Sequence, residues 1–365
     1  MTTFKERVEE FWKWFKENED KIIGFVQNPD KYTPEEITTF IGNGVEKAVD
    51  DAYFEVGLNN EFTFSTGGEH YLFYLLPYLV SKVPRDLKYN WIFSPYKLGG
   101  MSRDFSLQND YLTVSINDVQ VLVNYEDEGN VFSIEFYNEY LAKISEKEAL
   151  NIFYILLDAA VGENTVELYI GPIDRLKKRK NKMINLSELN SYIENKLREN
   201  NQEFFKNPSE CYSSYEFDPL STGNLRDDIY VGSTCYFDIV EEFYNEEEDE
   251  MYVYNSIDRC GGKVAFISYE YDNEDTQRDL IIRNELLDRI EEEILGEKDS
   301  GNEIGIILGA ATGTDRFYID ILLYDEVKFL DTVDKLLKDY NYKFSYSEFK
   351  RNPSTIDLLN KNSVH

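Results

Sequence analysis

An α+β fold in two domains is what this sequence predicts, and three observations predict it. At 365 residues the chain is long enough for two units that each bury a core. Its 42% hydrophobic and 15% aromatic content supplies the apolar mass to fold despite a formal charge of −32, whereas an acidic disordered chain is poor in aromatics. The apolar positions, finally, switch along the chain between helical spacing and strict alternation.

The first element is a helix, because Phe4, Val8, Phe11, Trp12 and Phe15 share one face, with Trp14 off that stripe. Thr33-Pro34-Glu35-Glu36 supplies an N-cap, a proline at the first helical position and early acids for a second helix reaching about Asp51. Phe62 and Phe64 then alternate with polar residues as a strand, and Gly67-Gly68 breaks the pattern. An apolar helix follows to Val83, and Trp91 and Phe93 mark another strand. From Tyr111 to Tyr137 three alternating runs separated by Asn117-Asp118 and by Asp127 to Asn130 predict a β-meander. A helix from Ser145 to Ala160 leads through Gly162 into a strand over Val166 to Ile170, and a helix over Leu186 to Glu199 closes the region. The Gly162 turn is echoed by Leu295-Gly296-Glu297, each glycine suited to the left-handed residue that ends a helix.

Periodicity fades into Asn, Ser, Pro and Gly near 200–222. The expected division is therefore a domain over 1–205, a linker over 206–222 and a second domain over 223–365. In that second part Val264 to Tyr269 reads as a strand, Leu280 to Ile294 as a helix, Ile304 to Leu308 and Phe317 to Leu323 as strands, Val327 to Leu337 as a helix, and Tyr342 to Tyr346 as a last strand. The order β-α-β-β-α-β is the ferredoxin-like pattern, a fold that hosts many unrelated functions.

Charge narrows the partners. Residues 206–365 hold 16 basic and 36 acidic side chains, so most of the negative charge lies in the second part. Such a field repels nucleic acid and anionic lipid, which argues against broad nucleic-acid binding. The first 20 residues lack the apolar core of a signal peptide and no apolar run is long enough to span a membrane, so a cytoplasmic protein is expected. Cys211, Cys235 and Cys260 are odd in number and widely spaced, which fits reduced thiols.

Two resemblances accompany these patterns. The stretches Glu10 to Glu19, with Phe11-Trp12-Lys13-Trp14-Phe15 at their centre, Phe64 to Gly68 and Tyr89 to Pro95 together resemble a family of uncharacterised bacterial cytoplasmic proteins over roughly residues 1–200. Gly309 to Asp325, with Gly313-Thr314-Asp315-Arg316-Phe317-Tyr318, is similar to the family called domain of unknown function 695. The resemblances imply a bacterial source and an α+β fold, and they carry no functional residues.

The candidate site residues are the acid run Glu246, Glu247, Glu248, Asp249 and Glu250, preceded by Glu241-Glu242. Flanked by apolar, strand-like segments, the run is expected at a loop or hairpin tip, where it is a solvated loop or a contact surface for a basic protein. Neither it nor Asp272 to Asp275 has the alternating oxygens and central glycine of a calcium loop, so no metal is expected. His70 is the sole internal histidine and stands without a hydrolase or zinc motif, so it is read as structural. Gly309 to Thr314 lacks the Gly-Lys-Ser/Thr ending of a phosphate loop and reads as a hairpin turn. Arg175 to Lys182 is the one basic cluster, read as a solvated loop or an intramolecular contact to the acidic second half. No catalytic residue and no cofactor is indicated. The expectation is an acidic protein-binding module, of the immunity type that neutralises a basic bacterial toxin. The alternatives are a small-ligand sensor or enzyme with a carboxylate site between the domains, and a structural component that assembles through sheet edges.

Overall fold

The structure, a computed structural model, describes residues 2–57, 59–100, 105–109, 112–126, 129–245, 251–271, 276–296 and 301–359. Helix α1 (Phe4–Glu17) starts in a capping box between Thr3 and Glu6, and Asn18 breaks it from α2 (Glu19–Gln27). A second capping box, Thr33 with Glu36, opens α3 (Pro34–Val45) at the motif read from sequence. Strands β1 (Tyr53–Gly57) and β2 (Glu61–Ser65), helix α4 (Leu72–Ser81) and strands β3 (Ile92–Ser94), β4 (Ser106–Asn109), β5 (Leu112–Ser115), β6 (Gln120–Glu126) and β7 (Val131–Tyr137) follow. Then come α5 (Glu146–Val161), capped by Ser145 and Glu148, α6 (Glu163–Tyr169), β8 (Ile170–Arg175), β9 (Ile184–Asn185) and α7 (Leu189–Glu199). The chain continues through β10 (Ser213–Glu216), β11 (Ile229–Thr234), α8 (Phe237–Tyr244), α9 (Tyr252–Arg259) and β12 (Lys263–Glu270). Helix α10 (Thr276–Arg289) widens into a π-helical turn over Ile290–Gly296. Strands β13 (Gly305–Gly313) and β14 (Arg316–Leu323), helix α11 (Glu326–Leu337) and strands β15 (Phe344–Glu348) and β16 (Thr355–Asp357) complete an α+β protein.

These elements form two compact units, both discontinuous in sequence: Met1–Ala52, Pro77–Tyr89 and Tyr212–His365 in the first, Tyr53–Leu76 and Asn90–Cys211 in the second. One crossing, between Cys211 and Tyr212, falls inside the stretch read as a linker. Residues 213–216 of that stretch form a strand, because Tyr215 packs inward while Glu216 stays exposed.

The first unit is built on an antiparallel sheet in the order β10-β11-β13-β14-β12-β15-β16. The four strands read from the C-terminal sequence are its middle, β13-β14-β12-β15, and three more extend it on both sides. One face carries Ala265, Ile267, Tyr269, Phe317, Ile319, Ile321 and Phe344, packed with Leu286 and Ile290 from α10 and its extension and Phe329 and Val333 from α11. On the other face the guanidinium of Arg226, completely buried, lies 4.3 to 5.4 Å from the rings of Phe243, Phe266, Tyr318 and Phe349. It donates a fork to Asp320 at 2.5 and 3.2 Å, and its backbone N–H donates to the Tyr318 hydroxyl at 3.0 Å. These bonds hold Arg226 at φ 70°, a conformation a side chain of this bulk rarely adopts. Helix α1 joins this unit through Phe4 N–H to Gly261 C=O and Lys5 N–H to Tyr324 C=O. Gly261, at φ 80°, has no room for a Cβ there, since Thr2 O would lie 2.5 Å away.

Among the described residues the second unit holds three smaller sheets. β1-β2-β3 turns Phe62 and Phe64 into an aromatic cluster with Phe54 and Phe93. The sheet β8-β7-β6-β9 buries Val121, Phe132, Ile134 and Phe136 against Phe153, Leu156 and Leu157 of α5 and Ile193 of α7, with Phe136 stacked on Phe153 at 4.0 Å.

Several sequence readings are corrected. Helix α2 has no counterpart among them. The meander divides, because a 3-10 turn at Ile116–Asp118 sends β5 to pair with β4 while β6 and β7 pair with each other. Val166 to Tyr169 is helical rather than extended, since Gly162, at φ 92°, starts α6 as well as ending α5, and the strand begins only at Ile170. Gly309 to Gly313 is strand rather than turn, for β13 needs small residues where β11 passes: a Cβ on Gly309 would meet Ser233 O at 2.2 Å.

Removing one partner of the buried pair strands a charge away from water, which costs about 3–5 kcal/mol, whereas replacing both by apolar residues is far milder. Asp320→Ala is therefore expected to lower the urea midpoint severely, and Arg226→Met with Asp320→Leu to recover most of the loss. Equal midpoints for Asp320→Ala and the parent would remove the pair from its structural role.

Candidate functional site

The five acids Glu246, Glu247, Glu248, Asp249 and Glu250 lie outside the described residues. Their flanks are helices α8 and α9, not the strands expected. Glu242, just before the run, accepts hydrogen bonds from the N–H groups of Val253 at 2.5 Å and Tyr254 at 3.2 Å, so its carboxylate satisfies the exposed amides that begin α9. His70 sits half-exposed 3.5 Å from Glu167. Within the basic cluster Arg175 donates to the carbonyls of Leu141 and Ile144, Lys177 to that of Ala142 and Lys180 to Glu135 at 2.6 Å, all inside the second unit. Lys178, Arg179 and Lys182 of the same cluster are exposed. The three cysteines are free thiols, Cys235 and Cys260 buried. Among the described residues no group of three or more His, Cys, Asp and Glu side chains is placed to hold a metal ion, and no helix is long and apolar enough to cross a membrane.

Two other places carry chemistry. In the first unit β10 is the edge of the sheet among the described residues, and Glu216, Phe217, Asp218, Tyr230 and Val231 line an open groove of about 650 Å³ along it. Phe217 N–H donates to Tyr230 C=O at 3.1 Å, so the aromatic pair faces across the two strands. The Phe217 ring is braced by Tyr244 at 4.5 Å, and Tyr244 donates its hydroxyl to Arg226 C=O. Glu216 and Asp218 are exposed, and Tyr230 is 39% exposed. Carboxylates and aromatic rings brought to one sheet edge suit a basic segment, whose cationic side chains gain from charge on one face of the strand and from aromatic rings on the other. The sequence signal was the alternation Tyr215-Glu216-Phe217-Asp218, hidden in a stretch whose prolines, serines and asparagines read as linker.

In the second unit the buried carboxylate of Glu163 accepts from Ser65 Oγ at 2.5 Å, Thr66 N–H at 3.4 Å and Lys97 N–H at 3.1 Å, tying the start of α6 to the end of β2 and to the segment after β3. Lys97 reaches Glu55 at 3.2 Å, beside a shallow hollow of about 180 Å³ that Thr63 and Ser94 also line. Asp158 stands in the same field. Burial first, then the negative charge of Glu163, pushes its carboxyl up to about 7, with Lys97 opposing and Glu55 adding.

No family model, curated protein or solved structure matches the chain. The functional reading therefore rests on these two sites.

Because the Asp158 carboxyl is held above its ordinary value of 3.8, its neutral form favours the folded state. That stability is fully present below about pH 4 and is lost as pH rises through about 7. Asp158→Asn should abolish this part of the pH dependence and raise stability at pH 8 relative to the parent by on the order of 2–4 kcal/mol. Urea melts of both proteins at pH 5 and 8 check the sign. A variant no more stable than the parent at pH 8 would show that Asp158 is ionised there without cost.

Proposed function

We propose that this chain is an acidic protein-binding module that takes a basic, extended segment of a partner protein along the β10 edge. The observation that carries the reading is the groove itself: Glu216 at the end of β10, Phe217 and Asp218 just after it and Tyr230 on β11 line the edge of the sheet, where β10 has one side unpaired among the described residues. An edge strand offers backbone donors and acceptors to an incoming strand, and side-chain pockets beside it select the residues that strand carries. Here the pocket selects Arg or Lys. The charge of −32 adds long-range attraction, which speeds encounter with a cationic protein and disfavours other acidic ones. A protein that neutralises a basic bacterial toxin, as immunity proteins do, is the form of this function that best uses so large a charge. The run Glu246 to Glu250 contributes to steering in this reading.

A second reading, a carboxylate site for a small ligand or a proton transfer, is favoured by the placement of Asp158, Glu163 and Lys97 within the second unit. A carboxyl titrating near neutrality is suited to general acid and base work.

Ten-residue peptides with strand-forming residues and Arg or Lys at alternate positions test the main reading, with acidic counterparts as controls and fluorescence anisotropy as the readout. Binding is expected for the basic set only, weakening about tenfold or more between 50 and 500 mM salt. Glu216→Gln with Asp218→Asn should weaken it by about tenfold, and Tyr230→Ala by a smaller factor consistent with a lost cation–π contact of about 0.5–1 kcal/mol. Equal binding of acidic peptides, or no effect of the double substitution, would overturn the assignment of the groove.

A further inference from the structure

A second pocket, in the first unit but away from the β10 edge, has a wall in which opposite charges alternate. Lys5 and Glu9 come from α1, Tyr78 and Lys82 from α4 and its end, Glu303 from the segment before β13, and Lys328 from the first turn of α11, around about 240 Å³. Two of its lysines are already matched: Lys5 pairs with Asp325 at 3.2 Å and Lys82 with Glu303. Among the described residues, Lys328 and Glu9 have no ion-pair partner. The Tyr78 hydroxyl is the third unsatisfied group. Tyr78 is 5% exposed, its ring is stacked on Tyr324 at 3.9 Å, and its hydroxyl has no hydrogen-bond partner among the described residues. A buried hydroxyl left without a partner costs stability, and it belongs to a residue that lines the pocket, so a ligand seated there that draws the ring outward by a small rotation would complete it. Burial first, and then the carboxylates of Glu303, Asp325 and Glu9, push that hydroxyl upward, which keeps it protonated and able to donate.

We propose that this pocket binds a small zwitterion, a free α-amino acid, whose carboxylate is received by Lys328 and the Tyr78 hydroxyl and whose ammonium is received by Glu9. A simple anion would satisfy Lys328 but leave Glu9 unmet, and a simple cation would leave Lys328 and the hydroxyl unmet. Only a ligand with both charges answers every unmatched group. The pocket is wide enough for an amino acid with a side chain of ordinary size, and its matched pairs, Lys5 with Asp325 and Lys82 with Glu303, hold the wall in place without being consumed by the ligand.

The experiment is ligand-observed NMR and calorimetry on the full chain with the common L-amino acids, each followed by its N-acetyl form and its amide. At least one amino acid is expected to bind, with a loss of tenfold or more when either end is blocked. Glu9→Gln and Lys328→Gln, both surface changes, should each weaken binding by about tenfold while leaving the thermal midpoint within a degree or two, and Tyr78→Phe should weaken it by several-fold. No binding of any amino acid at 10 mM overturns the proposal. So does an N-acetyl form that binds as tightly as its parent, which would make the pocket an anion site, or binding that survives both surface substitutions. None of these outcomes depends on the β10 groove.

Discussion

The buried pair of Arg226 and Asp320 is the constraint on which the first unit depends. Taking both charges out of water is expensive, and what offsets it is a forked hydrogen bond, four aromatic rings around the guanidinium and Tyr318 holding the adjacent backbone, even though the Arg226 Nε–H is left without a partner among the described residues. Burial acts against the charge on Arg226, but the carboxylate of Asp320 outweighs it and holds the guanidinium above its usual range. The next two residues extend the arrangement. Asp227 is bound by Thr222, Asn224 and Arg351, and Asp228 accepts from Tyr318 Oη at 2.5 Å and from the turn at Thr314 and Asp315. A run of three charged residues, unremarkable in so charged a sequence, thus fixes the loop before β11 to the centre of the sheet, and with it the strand that carries Tyr230.

The same loop braces the groove on β10 that the proposed function uses. Phe217 is held by Tyr244, and Tyr244 by the carbonyl of Arg226, so the aromatic wall is connected to the buried pair by two contacts. Aromatic and acidic groups on a strand held this way lose little freedom when a partner arrives, which favours affinity. The abundant carboxylates elsewhere act differently. Exposed and scattered, each would contribute little to binding energy in the proposed function once salt screens it, and together they would raise the rate of encounter with a basic partner.

The second unit uses charge for the opposite end. Glu163 is buried to satisfy backbone donors, and its charge makes ionisation of Asp158 costly. Lys97 is the compensating cation, shared in field between Asp158 and Glu55. The result is an aspartate whose ionisation is set by its position rather than by its residue type, a property that depends on burial and on which charges the fold brings near it.

How much of this was legible follows from the range of each interaction. Helix α1, the capped start of α3, the C-terminal strands and the helices between them were determined by the sequence alone, because periodicity and caps are local and each such segment has one apolar face to hide. The three further strands of the sheet were not, since β10 and β16 are too short and too polar to announce themselves and exist because a neighbour completes their hydrogen bonds. Val166 to Tyr169 shows the converse: an alternating stretch became helical because the corner at Gly162 and the burial of Glu163 set its direction. The acid run was visible as composition, yet its neighbour Glu242 turned out to cap a helix. Glu216, Asp218 and Tyr230 acquired a joint meaning only when β10 and β11 paired. Sequence determined the charge, the apolar faces and most elements; tertiary structure decided which charges are buried, which are matched and which are left exposed, because those outcomes depend on distances between residues far apart in the chain.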